Sequence, residues 1–220
     1  TARMTDRPLR PLFPNGIIND VQIMAGLLSA DGQNEADVLS ILGASAALMV
    51  SDIPFNGPIG ALRVGRVDGQ FVANPTHEEM AKSDIDLVYA GVEGKVIMIE
   101  GAADEVSEEA LRDALLFADA VVRKLCDAQR ELGQRVNKPK MTPVVKLPSA
   151  EVMAAVDAYC TGKLDEACLI PEKSARYAAL GEIFDTMVAE IGPRFEGVEE
   201  KPAFKGAFDE VARLTVRRLI

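Results

Sequence analysis

The sequence predicts an α/β (α+β) domain, a mixed sheet with helices packed on it, followed by a small all-helical domain. Three observations predict it. Two tight-turn pairs, Asp68-Gly69 and Glu93-Gly94, separate β-forming runs and mark hairpins. Long stretches before and after them carry apolar residues at the helical period. Beyond a proline-broken segment, every periodic stretch is helical.

Taken in order, residues 21–29 are rich in apolar and β-forming side chains and read as a buried strand. Asp31-Gly32 punctuates it, and Asn34 is placed to cap a helix with Glu35 and Asp37 in its first turn, beside the positive end of the dipole. That helix runs to about Val50. Its small residues Gly43, Ala44, Ser45 and Ala47 suggest a face pressed closely against a sheet. Residues 61–67 and 70–73 flank the first turn, and 85–92 and 95–100 flank the second. Val96, Met98 and the alternating Ile97 and Ile99 suit a sheet covered on both faces. Ser107 opens a long helix that Gly133 closes. The first domain, residues 1–134, therefore reads β-α-β-β-β-β-α. Pro139, Pro143 and Pro148 deny regular structure to the linker, residues 135–147. The second domain, 148–220, has helical stretches at 150–159, 172–191 and 207–219, with a break at Ile191-Gly192-Pro193.

Composition narrows the class. The chain has 220 residues, is 48% hydrophobic, and has no apolar run near the ~20 residues of a membrane helix. The start leads directly into charged and proline-rich sequence, so no signal peptide is expected. Three cysteines without a CxxC pair read as buried thiols of a reducing compartment, which predicts a cytoplasmic protein. The chain begins without methionine and stops within a helical pattern, as a fragment of something longer would. Its formal charge is −10, all of it in residues 1–134. An acidic domain repels a phosphate backbone unless its basic residues are gathered. Here Arg3, Arg7 and Arg10 are.

These arginines are four and three apart, which aligns them on a helical face. Pro8 and Pro11 disfavour helical geometry at Arg7 and Arg10, so an extended turn is expected. Either way, three guanidiniums can hold phosphate oxygens bidentately. The competing reading is structural ion pairing with acids such as Asp6 and Asp20. His77 sits behind a capping box, Thr76 to Glu79. A lone histidine is a candidate general base, but without a nucleophile or metal partner it reads as a solvated first-turn residue. Asp84 and Asp86, two apart on a strand, share a face and have the spacing to bind a divalent ion; a solvated strand entrance is the plainer alternative.

Three motifs carry a family resemblance: Arg7-Pro8-Leu9-Arg10-Pro11-Leu12-Phe13-Pro14, Leu42-Gly43-Ala44-Ser45-Ala46-Ala47-Leu48, and Ile53-Pro54-Phe55-Asn56-Gly57-Pro58-Ile59-Gly60. With them the chain resembles bacterial polynucleotide phosphorylases, over the first RNase PH-like domain less its opening strands and then the helical linker domain. The resemblance implies a 3′-to-5′ exoribonuclease that phosphorolyses RNA to nucleoside diphosphates and runs backwards to polymerise them. It implies magnesium or manganese, bound outside this fragment. It also implies a second, catalytic RNase PH-like domain, a homotrimeric ring, and a place in an RNA-degrading complex. In such domains the arginines matching Arg3, Arg7 and Arg10 lie near phosphate and the RNA 3′ end.

The resemblance also implies what this piece lacks. The family's catalytic half holds phosphate with serines just before the helix of the second motif, where this chain has Glu35-Ala36-Asp37. It has aspartates where this chain has Met80 and Asp86, and a lysine where it has Val88. Only Asp86 remains, and one aspartate cannot run phosphoryl transfer. No catalytic residue is therefore expected here. The family's basic pore loop would precede Thr1, and its second core domain and KH and S1-type modules lie outside the chain. The expected role is structural and channel-forming. The alternative is a stand-alone, non-catalytic ring or scaffold protein. A small-molecule enzyme is excluded for want of a phosphate loop, nucleophile–base pair or metal cluster.

Overall fold

A computed structural model describes residues 1–195 and 201–220, with 201 and 202 described by backbone only. The chain forms two compact units, Thr1–Val144 and Val145–Ile220.

The first unit is built on four strands, β1 (Gly60–Val67), β2 (Gln70–Ala73), β3 (Ile85–Val92) and β4 (Lys95–Ala103), in the order β2-β1-β3-β4. Every pairing is antiparallel, so the sheet is not mixed as expected. Both hairpins turn as their sequences require. Asp68 and Gly69 have φ of 49° and 77°, Glu93 and Gly94 have 31° and 78°, and two positive φ values give the turn whose twist matches the strands.

Central strands β1 and β3 alternate their side chains between two cores. On one face Ala61, Val88 and Ala90 meet Leu9 of α1 (Ala2–Leu9) and Val38, Ile41, Ala44 and Leu48 of α2 (Asp37–Val50). On the other, Leu62, Val64, Leu87 and Tyr89 meet Ala114, Ala118, Val122 and Cys126 of α4 (Glu108–Val136). Small residues on α4 let it approach closely: a Cβ on Gly60 would lie 2.9 Å from the Val122 carbonyl oxygen. The backbone of Ile59 is buried between the helices and satisfied from both. Its N–H donates to Ser45 Oγ (3.0 Å), and its carbonyl accepts from Gln129 Nε2 (2.9 Å). This gives the serine of the Gly43–Leu48 motif its physical purpose.

Several expectations need correction. Residues 21–29 form no strand. They are almost wholly exposed, with Met24, Leu27 and Leu28 in solvent, because β-forming side chains make a strand only against a partner and neither sheet edge takes them. Helix α2 starts at Asp37 with Ala36 at its N-cap, while Asn34 is drawn into a turn on Asp31. Ala44 and Ser45 are buried, but Gly43 and Ala47 face solvent, so only half the small-residue face is pressed on the sheet. Strand β4 is an edge, longer than expected, with Val96 and Ile99 about half exposed; it is not covered on both faces. Helix α4 passes Gly133 and ends at Val136, where Asn137 takes the left-handed conformation (φ 49°) and its N–H bonds the Gly133 carbonyl.

After α4 the chain turns back to α2. The Lys140 ammonium donates to the carbonyls of Leu48 (2.6 Å), Met49 (3.2 Å) and Ser51 (2.7 Å), closing the helix C-terminus, and the Met141 N–H donates to Asp52 O. Burial holds the pKa of Lys140 below the ordinary lysine value.

The second unit is helical: α5 (Ala150–Cys160), α6 (Lys163–Cys168), α7 (Lys173–Ile191) and α8 (Lys201–Leu219). The short α6 was not foreseen, and α8 begins six residues earlier than its apolar period suggested. Val152, Val156, Leu164, Met187, Phe204, Phe208 and Val211 form its core, with Phe184 and Phe208 edge to face at 5.3 Å. No helix among the described residues is long and apolar enough to cross a membrane.

Candidate functional site

The three arginines lie on helix, not on an extended turn. Pro8 is inside α1, and Arg10 continues with helical dihedrals (φ −54°, ψ −44°) into a single 3₁₀ turn, Arg10–Leu12. The lost Pro8 N–H leaves the Met4 carbonyl without its usual donor, and packing offsets this. Pro8 and Leu9 are buried, and Thr5 Oγ1 bonds Ser40 Oγ of α2 at 2.9 Å. With the apolar side anchored, Arg3, Arg7 and Arg10 stand on the solvent side.

Their states differ. Arg10 is held by Asp6 through two bonds, Nε to Oδ1 at 3.2 Å and Nη2 to Oδ2 at 2.5 Å. The hydrogen bond to Asp6 and its charge raise the Arg10 pKa. Arg7 is 3.7 Å from Glu100 of β4, with both side chains more than half exposed. Arg3 makes no hydrogen bond or ion pair among the described residues. Among the described residues, then, Arg10 pairs with Asp6 and Arg7 with Glu100, both in exposed pairs, and Asp20 pairs with neither. An open cavity of about 770 Å³ flanks this face, lined by Thr5, Asp6, Leu9, Arg10, Phe13 and Ser40 among others.

Beside it, on the same side of the sheet, lies a group the sequence reading missed. Arg63 of β1 reaches between two carboxylates: its Nη2 bonds Asp37 Oδ2 at 2.6 Å, and its Nη1 bonds Asp86 Oδ1. Arg63 and Asp37 are 15% and 13% exposed, against 44% for Asp86, so the Asp37 arm is the buried one. Burial of Arg63 works against its charge. The hydrogen bond and charge of Asp37, and then Asp86, outweigh burial and raise its pKa. Its Nε is buried without a partner among the described residues. The signal was an arginine in the middle of a strand whose neighbouring residues, Ala61, Leu62 and Val64, are apolar.

The other candidates are separated from one another. Asp84 pairs with Arg66 (2.9 and 2.5 Å), which holds its carboxyl below the usual range. Asp84 and Asp86 are thus each committed to a different arginine, and among the described residues no group of three His, Cys, Asp or Glu is placed to hold a metal. His77 is half exposed in the first turn of α3 (His77–Met80), behind the expected Thr76–Glu79 capping box, with Nδ1 3.5 Å from Glu35. Val88 lies in the apolar core under α2.

Residues 57–121, from just before β1 into α4, match the 3′ exoribonuclease family, domain 2. Curated proteins named polyribonucleotide nucleotidyltransferase match along the chain. That of Geobacter sp. is 43% identical over 220 residues, 100% of this chain and 31% of that protein. The Methylacidiphilum infernorum protein is 47% identical over 195 residues, 89% of this chain and 28% of its own. The Thermus thermophilus protein is 43% identical over 226 residues, 100% of this chain and 32% of its own. Among solved structures, rice (Oryza sativa) Rrp46 aligns with a TM-score of 0.41 and 18% identity, covering 46% of this chain and 48% of that one, a likeness too loose to bear on function. Along its whole length the chain is thus similar to proteins named polyribonucleotide nucleotidyltransferase, and it spans about 31% of the length of the Geobacter one.

Proposed function

We propose that this chain is the non-catalytic, channel-forming part of a cytoplasmic 3′-to-5′ exoribonuclease, which cleaves the terminal RNA linkage with inorganic phosphate and releases nucleoside diphosphates. In this reading residues 1–134 are a partial RNase PH-like domain, 135–147 a linker and 148–220 a helical domain. The whole packs against a catalytic RNase PH-like domain, closes a homotrimeric ring, and can join an RNA-degrading complex. Arg3, Arg7 and Arg10 meet single-stranded RNA and phosphate, because a guanidinium fork matches phosphate oxygens. The free thiols Cys126, Cys160 and Cys168 suit a reducing compartment.

The observation that carries the reading is the Asp37–Arg63–Asp86 bridge. Two carboxylates and a guanidinium hold one another where the family's catalytic half needs phosphate-binding hydroxyls and a metal-binding acid. With Asp86 taken by Arg63 and Asp84 by Arg66, the donor set does not fit a divalent ion. Magnesium or manganese would be held outside this chain, and no chemical step runs through these residues.

The test is phosphorolysis. The purified 220-residue chain, given a short single-stranded RNA, phosphate and magnesium, should release no nucleoside diphosphate, while the intact enzyme does. Asp86→Asn in the intact enzyme should leave the rate unchanged. Diphosphate release by the chain alone, or a hundredfold loss in a folded Asp86→Asn enzyme, would place catalysis in this half and refute the reading.

A further inference from the structure

We infer that Asp6 and Glu100 are built-in competitors of phosphate on the arginine face of α1, so that acids of the chain itself set how tightly RNA is held there. The inference rests on the reading above, that Arg3, Arg7 and Arg10 meet RNA phosphates.

Three guanidiniums on one face stand in three states. Arg10 has two of its donors on Asp6, Arg7 faces Glu100 at 3.7 Å, and Arg3 has no partner among the described residues. A carboxylate and a phosphate present the same pair of oxygens to a guanidinium fork, so each acid occupies the donors a phosphate would use. Each also repels an approaching phosphate. All four paired side chains are at least half exposed, and such pairs are weak enough to exchange for a better partner. The acids come from different elements, Asp6 from α1 itself and Glu100 from edge strand β4, so the guarding does not depend on helix spacing alone.

A second consequence separates competition from a general change in charge. An arginine already neutralised by its own acid releases no counterion from RNA when it binds. Freeing it should raise both the affinity and the salt dependence, by about 0.7 in the slope of log affinity against log salt for each single-strand phosphate newly engaged.

The experiment is fluorescence anisotropy of a labelled single-stranded oligonucleotide titrated with the 220-residue chain across a salt series. The variants are Asp6→Asn, Glu100→Gln, Arg7→Ala and Arg10→Ala. The matched control is Asp113→Asn, whose acid pairs with Arg112 on α4, a helix on the opposite side of the sheet. Circular dichroism confirms folding of each variant. The expected result is that Asp6→Asn and Glu100→Gln each tighten binding about threefold to tenfold at low salt with a steeper slope, while the control does neither and both alanine variants weaken binding. If the alanine variants weaken binding but Asp6→Asn and Glu100→Gln leave affinity and slope at parental values, the competition is refuted and the RNA-binding reading stands. If the control tightens binding as much, the effect is net charge and the inference fails. If the alanine variants bind as the parent does, the face is not an RNA contact and both readings fall.

Discussion

Arg63→Met would take away the guanidinium that Asp37 and Asp86 share while keeping most of the side-chain volume. Removing one partner of a buried pair costs about 3–5 kcal/mol, because the other charge is left without compensation. The two arms here are not equal. Asp37 is 13% exposed and would keep only the Val38 N–H at the N-terminus of α2, whereas Asp86 is 44% exposed and can turn to water. The loss for Arg63→Met should therefore fall toward the lower end, about 2–4 kcal/mol. Asp37→Asn should cost about 1–3 kcal/mol, since Arg63 keeps the weaker arm. Asp86→Asn should cost about 1 kcal/mol or less, as for an exposed pair. The order is the content of the prediction. It is read by native-state hydrogen exchange of α2 and β1 amides, which reports the first unit separately from the helical one. Arg63→Met within about 1 kcal/mol of parent, or Asp86→Asn more damaging than Asp37→Asn, would show that the bridge does not anchor α2 to the sheet.

Other outcomes follow from the same geometry. Ser45→Ala leaves the buried Ile59 N–H without its acceptor and should destabilise the first unit by about 1–3 kcal/mol in urea unfolding, with no effect on the helical unit. Tyr89 has its pKa pushed up to about 12, by burial first and then by Asp119. The folded state thus keeps a proton that the unfolded state loses near pH 10, so stability is full below pH 10 and falls as pH rises to about 12. Unfolding midpoints measured across that window, with Tyr89→Phe lacking the fall, check it. Asp31 is held at about 2 by the backbone N–H groups of Gln33 and Asn34, so its turn should loosen as pH drops from about 4 through 2, and exchange at those two amides reports it. Arg7→Ala should weaken RNA binding in the intact enzyme more than it changes the unfolding midpoint; equal affinity at fixed salt would contradict the assignment.

How much of this was legible depended on how local the determinant was. Asp68-Gly69 and Glu93-Gly94 carry their turn geometry in two residues, and Thr76 with Glu79 closes a cap over four, so these read correctly from sequence. Residues 21–29 misled because β propensity says nothing about whether a partner strand exists. Pro8 misled because a local penalty was outweighed by the burial of Leu9 and the Thr5–Ser40 bond, neither visible along the chain. The α4 overrun past Gly133 has a similar cause, since an interior glycine is a weak stop. At the site, Arg3, Arg7 and Arg10 were legible as a cluster because their spacing is short. Arg63 was not, because its partners are 26 residues before it and 23 after it. Glu100 lies still further along the chain from Arg7, on edge strand β4.

The Lys140 contact has a temporal consequence. Helix α2 has no basic residue in its last turn, and the ammonium that closes it arrives about 90 residues later. Gln129, which completes the Ile59 backbone between α2 and α4, is also late. A ribosome would thus expose α2 long before either partner has emerged, and until the strap at 137–144 leaves the exit tunnel its C-terminus relies on the local cap of Ser51, whose N–H and Oγ bond the Leu48 carbonyl. A polypeptide cut after residue 134 would hold every strand of the sheet and still lack the lysine that closes its first long helix.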